Sequence, residues 1–296
     1  IKLYFCRNFR GGYYSENKMK KILTAFFAFL ALMFSCKGNK TETGDSLPTD
    51  SDSIKDTAVV DTMEQIIAET PMPKAADELF DDFFFNFAAN KKLQIERTQF
   101  PLPVERAGKT DTIGKKQWKT DRFFMRQGYY TLIFDNFRQM NVVKDTSVNK
   151  VVVEKIYFNI KTVKSYNFNR VNGLWKLTSI NYKGIHENRN ASFLKFYHQF
   201  VTDSTFQAES ISNPMEFIGP DPDDDFSQME GLITPETWPA FAPELPNNMI
   251  YNIIYGEDSK PGLQRIFVIR GIANGLEMEL TFKRKKSKWM LTKLSE

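Results

Sequence analysis

Cysteine and histidine are scarce in this sequence, with two of each among 296 residues, and the shortage removes whole chemistries. No zinc site can be assembled from so few soft and imidazole ligands, and no Cys–His or Ser–His–Asp set can be proposed. His186 lies between two repeated segments described below, and His198 sits off the apolar stripe of its helix. With no carboxylate partner suggested nearby, both read as solvent-facing or partly covered rather than catalytic. A true excess of positive charge is lacking too. The overall balance is +4, yet residues 1–35 carry six Lys or Arg and one Glu, leaving 34 basic and 35 acidic residues from Cys36 onward. A chain so nearly neutral lacks the basic face that nucleic acid requires. The apolar run Ile22–Phe34 is thirteen residues long, short of what a bilayer core of about 30 Å demands.

That run is preceded by Lys20 and Lys21 and closed by Ser35-Cys36, the layout of a secretory signal with a small residue at the cleavage point. It resembles the lipobox of Gram-negative envelope lipoproteins, with Met33 where Leu is commonest. The resemblance implies cleavage before Cys36, lipidation of its thiol and a membrane anchor through that lipid. With Cys6 removed and Cys36 acylated, no disulfide is expected even in an oxidising envelope. Lys37-Gly38-Asn39 carries no acidic run, so the periplasmic side of the outer membrane is expected rather than the surface. Residues 1–18 are expected to be an untranslated upstream extension, with translation starting at Met19.

Residues 36–74 follow as the lipidated Cys and a tether rich in Thr, Ser, Asp and Glu and almost free of aromatics. Such a segment cannot bury enough surface to offset its ordering entropy. As a flexible coil it reaches roughly 30–40 Å.

Beyond the tether the sequence is written twice. Phe80, Phe83, Phe84 and Phe87 recur 113 residues later as Phe193, Phe196, Tyr197 and Phe200, and Leu93-Gln94 recurs as Phe206-Gln207. Trp118 matches Trp238 at an offset of 120, while Phe168, Trp175 and Leu177 match Phe282, Trp289 and Leu291 at 114. A domain-sized period with small drift predicts two copies, 75–185 and 186–296, rather than a solenoid. Each opens with aromatics at i, i+3, i+4 and i+7, one face of a helix. The period then changes to strands, GYYTLIFDNF through LWKLTSINY in the first copy and MIYNIIY through KWMLTKL in the second, with hairpin turns at Asn172-Gly173 and Asn274-Gly275. The expected class is α+β: two tandem cone-like domains, each with N-terminal helices packed on a curved antiparallel sheet.

Helix, second helix, long strands and a closing Trp-x-Leu-Thr strand resemble the nuclear-transport-factor-2-like fold. The tandem behind a lipobox resembles an uncharacterised family of envelope lipoproteins of anaerobic Gram-negative bacteria, known as a domain of unknown function. The resemblance implies cones that bind a ligand, work as an enzyme with Asp, His or Tyr, or stay filled. Candidate pocket-lining residues are Trp118, Tyr129, Tyr130, Trp238 and Tyr251, with core packing as the competing reading. No catalytic residue, metal or cofactor is assigned. Asp221, Asp223 and Asp225 have the spacing that begins a calcium loop, but Phe226 replaces the required Gly and Leu232 the bidentate Glu. Gln94 and Glu96, repeated as Gln207 and Glu209, are expected to do a structural job such as satisfying backbone groups at the start of the sheet. Lys283, Arg284, Lys285, Lys286 and Lys288 crowd the last turn and read as solvated, or as a contact with anionic head groups or a polyanionic polymer. The expected activity is therefore a binding or scaffolding module for an envelope protein, small ligand or polyanion, with a small hydrolase or isomerase as the alternative.

Overall fold

The computed structural model describes residues 74–296 apart from 222, 225–226 and 257–261. The signal, Cys36 and most of the tether lie outside the described residues. Among those described, no helix is long and apolar enough to cross a membrane.

Both copies begin as their aromatic spacing predicts. Helix α1 (Phe80–Ala89) buries Phe80, Phe83, Phe84 and Phe87, and it carries Asp81 and Asp82 in its first turn, where carboxylates meet the positive end of the helix dipole. Helix α2 (Lys91–Glu96) is capped by the Asn90 side chain, which accepts from the Lys92 and Leu93 amides. In the second copy α3 (Ala191–Thr202) buries Phe193, Phe196, Tyr197 and Phe200. Asp203 caps α4 (Ser204–Glu209) through the Phe206 amide. The same cap at the same place supplies the orphan amides of each short helix.

Among the described residues, twelve strands follow. The first copy gives β1 (Leu102–Arg106), β2 (Lys109–Ile113), β3 (Tyr129–Phe134), β4 (Lys150–Tyr157), β5 (Thr162–Val171) and β6 (Leu174–Gly184). The second gives β7 (Ile211–Pro220), β8 (Gln228–Ile233), β9 (Met249–Tyr255), β10 (Gln264–Gly271), β11 (Glu277–Lys285) and β12 (Lys288–Ser295). The meanders β4–β5–β6 and β10–β11–β12 are antiparallel as expected, and Asn172 and Gly173 turn the first at positive φ. The hairpins β1–β2 and β7–β8 were not legible as strands, since β2 is exposed almost throughout and β8 nearly so.

The expectation of two separate antiparallel sheets gives way to one mixed sheet of twelve strands, ordered β2-β1-β6-β5-β4-β9-β3-β10-β11-β12-β7-β8. The two copies exchange their third strand. β3 pairs antiparallel with β10 of the second copy, β9 pairs antiparallel with β4 of the first, and β3 and β9 meet in parallel at the centre. The reason lies in the strands themselves. YYTLIF and MIYNIIY are apolar at both parities, and successive side chains point to opposite faces, so these strands need cover on both sides.

The sheet provides that cover. Phe80, Phe83, Phe84 and Phe87 pack with Tyr130, Leu132, Val151, Val153, Tyr251, Ile253, Ile266 and Val268. Phe193, Phe196, Tyr197 and Phe200 pack with Ile156, Ile250, Phe267 and Ile269. Alternate residues of β4, β9 and β10 thus serve opposite cores, one helix layer on each face of a shared central sheet. Core membership crosses the repeat boundary in both directions.

Polar contacts pin the ends of the exchanged strands at equivalent positions. Asp135, just past β3, pairs with Arg189 and Arg265 of the second copy, each at 2.7 Å. Tyr255, ending β9, donates to Asp81 on α1. Removing one partner of a buried ion pair typically costs about 3–5 kcal/mol, so Asp135→Ala should lower unfolding stability by that order in urea titration. The exchange also predicts that residues 186–296 expressed alone do not form a stable monomer, because β10 has lost its partner β3. Mixing them with residues 75–185 should restore one cooperative melt; a monomeric, cooperatively folded half in size-exclusion and thermal melts would reject the exchange.

Candidate functional site

The sequence-predicted aromatics do not share one pocket. Tyr130 and Tyr251 are buried in the first core and Trp238 in the second. Trp118 fringes the first core against Phe100, ring centroids 6.3 Å apart, and Tyr129 fringes the second. The strand exchange therefore hands Tyr251 to the first core and Tyr129 to the second, the reverse of their order in sequence. His186 is exposed, and His198 stacks on Phe158 at 5.1 Å. Asp221 accepts from the Asp223 amide and the Ser227 hydroxyl, closing its own loop; Asp225 lies outside the described residues. Among the described residues no group of His, Cys, Asp and Glu is arranged to hold a metal. The basic residues of the β11–β12 turn are all exposed.

Polar chemistry instead converges at one end of the first core. Gln94 grips the backbone of Asp121 in both directions, donating to its carbonyl at 2.6 Å and accepting from its amide at 3.1 Å. In the second copy Gln207 instead accepts from the Trp238 indole at 2.9 Å and donates to the Phe200 carbonyl. The Asp121 carboxylate accepts from the Phe123 amide and, at 2.7 Å, from the Tyr166 hydroxyl. Lys155 lies over the Tyr251 ring, 5.0 Å from its centroid, and over Tyr157 at 5.5 Å. Lys164 covers Tyr166 at 4.4 Å, and Arg106 covers Tyr182 at 4.5 Å.

The protonation states follow from burial and neighbours. Burial, then the Asp121 charge, pushes the Tyr166 phenol well above its ordinary range, so it stays a donor to Asp121. Burial pushes Tyr251 up to about 12 against the pull of Lys155. Burial alone would lower the Lys155 ammonium, but the Tyr251 hydroxyl and the Asp121 charge carry it above its ordinary value. These three groups keep their protons at neutral pH. They suit holding a negatively charged group better than shuttling protons, which needs a pKa near the working pH.

The second copy carries nothing comparable. Asp121, Lys155, Lys164 and Tyr166 correspond to Phe241, Ile269, Met278 and Leu280, and Tyr251 corresponds to Thr131. The sequence signal that would have found the cluster is this difference between copies, read position by position, where attention to shared residues finds framework alone.

A second polar group borders the first core beside helix α1. Tyr255 and Tyr130 both donate to Asp81, with Arg270 beside them and paired to Glu277 at 2.8 Å. Burial raises the Asp81 carboxyl above its ordinary value, against the hydrogen bond from Tyr255 and the charge of Arg270. Burial also raises Tyr130, to about 12. A carboxyl raised on folding contributes stability that is full below the unfolded value and lost as pH rises through the folded one. The contribution of Asp81 to wild-type stability should therefore fall as pH climbs from the ordinary value of 3.8 through the raised value, and Asp81→Asn should remove that part of the pH dependence. Urea titrations of both proteins between pH 4 and 7 check this; parallel curves would reject it.

Comparisons with known proteins bear on this geometry. A crystal structure described as an NTF2-like protein from Bacteroides fragilis NCTC 9343 is 43% identical, with a TM-score of 0.69 over 76% of this chain and 98% of that one. No curated protein matches. Residues 59–296 match the family described as a domain of unknown function, DUF4348. The arrangement of helices on a mixed sheet is thus shared with an NTF2-like protein, and the chain belongs to the DUF4348 family.

Proposed function

We propose that this protein is a lipid-anchored envelope protein that binds a ligand at the polar end of its first core, while the second half serves as scaffold. The signal before Cys36 supports lipidation there and display on the periplasmic side of the outer membrane, with residues 36–74 as tether. The two halves are read as a tandem of cone-like units whose third strands have crossed over. One observation carries the ligand-binding part: Asp121, Tyr166, Lys155 and Tyr251 converge in the first half, and apolar or small residues replace them all in the second. Fold maintenance does not require the polar set, since the second core is built without it. Its protonation chemistry suits capture rather than turnover.

The alternative, a small hydrolase or isomerase, rests on Asp81 with Tyr255 and Tyr130. Against it, Tyr255 occupies the position equivalent to Asp135, and both pin the end of an exchanged strand. A structural duty accounts for the contact.

Thermal-shift screening of the mature chain against phosphorylated, carboxylated and neutral small molecules tests the binding reading. At least one class should raise the melting temperature, and Lys155→Met should abolish that rise while Ile269→Met, at the equivalent place in the second half, leaves it. A ligand shift that survives Lys155→Met and disappears with changes in the second half would reject the reading. Cys36→Ser should move the protein from the membrane to the soluble fraction and remove metabolically incorporated palmitate.

A further inference from the structure

The residues at the polar end of the first core stand in one cross-strand row. Register pairs Arg106 of β1 with Tyr182 of β6, Tyr182 with Lys164 of β5, Lys164 with Lys155 of β4, and Lys155 with Tyr251 of β9. Neighbouring strands lie about 4.8 Å apart, so the row crosses five strands over roughly 19 Å. It grades inward, from exposed Arg106 through half-buried Tyr182, Lys164 and Lys155 to buried Tyr251.

Three cations in one row are unusual in what balances them. Lys155 and Lys164 stand directly opposite each other, a like-charge pairing that destabilises a sheet. Among the described residues none of the three forms a salt bridge. The carboxylate whose charge reaches the row, Asp121, raises Lys155 while accepting from Tyr166 and the Phe123 amide, so one negative charge stands against three positive ones. Tyrosine faces accommodate each cation singly, but a neutral ring does not cancel repulsion between two ammonium groups. The fold has no need of the row: its counterparts in the second half, in the same order, are Gly219, Glu296, Met278, Ile269 and Thr131.

We infer that this row is a seat for a linear polyoxyanion of the phosphate class, which lies across the strands with one charged group between Lys155 and Lys164 and another at Arg106. The inference rests on the ligand-binding reading above and names its ligand chemistry. Several linked charges fit better than one, because the cations are spaced by one and two strand separations, about 5 and 10 Å. The interleaved tyrosine hydroxyls supply neutral donors alongside the charges.

Isothermal calorimetry of the mature chain with inorganic tripolyphosphate and with orthophosphate tests the seat. Tripolyphosphate should bind at least about tenfold more tightly, and weaken as ionic strength rises. Lys155→Met and Lys164→Gln should each weaken it by about tenfold, the equivalent of about 1.4 kcal/mol. Lys285→Gln/Lys286→Gln in the β11–β12 turn should leave it unchanged. Without ligand, Lys164→Gln should melt no lower than wild type, since it relieves the repulsion; a lower melt with unchanged binding would assign Lys164 to structure and overturn the inference. So would binding that depends on the β11–β12 turn, or anionic-lipid vesicles binding the protein while tripolyphosphate is inert. If tripolyphosphate fails but another ligand class shifts the melt through Lys155, the ligand-binding reading stands and the phosphate assignment falls.

Discussion

Strands β3 and β9 run side by side in parallel at the centre of the sheet, each zipped on its other edge to the opposite copy, and the rest of the molecule depends on that crossing. A strand apolar at both parities cannot end a sheet without exposing one set of side chains to water. Had each copy kept its own third strand beside its fourth, YYTLIF and MIYNIIY would have formed edges. Placed together at the middle they bury both faces, one against α1 and the other against α3. The hydrophobic demand of some dozen residues thereby turns a tandem repeat into one sheet, and the outer edges fall to β2 and β8.

The crossing also builds the candidate site. Lys155 meets Tyr251 because β4 pairs with β9. Arg106, Tyr182, Lys164, Lys155, Tyr166 and Asp121 come from the first copy, and Tyr251 comes from the second. A first copy folded alone would have lacked the residue that closes the inner end of the row. The same exchange delivers Thr131 to the corresponding place in the second half, where its hydroxyl donates to the Tyr251 carbonyl and stabilises the central pair. Equivalent positions thus take unequal work.

Much of the framework was legible because it is local. Phe80 to Phe87 and Phe193 to Phe200 declare their helices by spacing alone, and Asn172-Gly173 declares its turn. The pairing of β3 with β10 was not legible, because periodicity reports which faces are apolar and is silent on which strand supplies the neighbour. The doubled apolar parity of YYTLIF was nonetheless on the page, and it points to a central rather than a terminal strand. The site escaped for a related reason. Trp118 and Tyr130 stood out as large aromatics, yet large aromatics mostly pack. Lys155 sat inconspicuously inside VVVEKIY, and its meaning appears only beside Lys164 and Tyr251, which lie 9 and 96 residues away.

Duplication explains how such a row can persist at a cost in stability. In the second half the pair that matches Lys155 and Lys164 is Ile269 opposite Met278, so apolar residues satisfy the fold at those two positions and the facing lysines are not required by it. Their ammonium groups hold their stems against tyrosine rings, which keeps them in place without neutralising them. Anchored so, they present concentrated positive charge with little conformational freedom left to lose, and a ligand that supplies the missing negative charge gains both the attraction and the relief of a repulsion already present in the free protein.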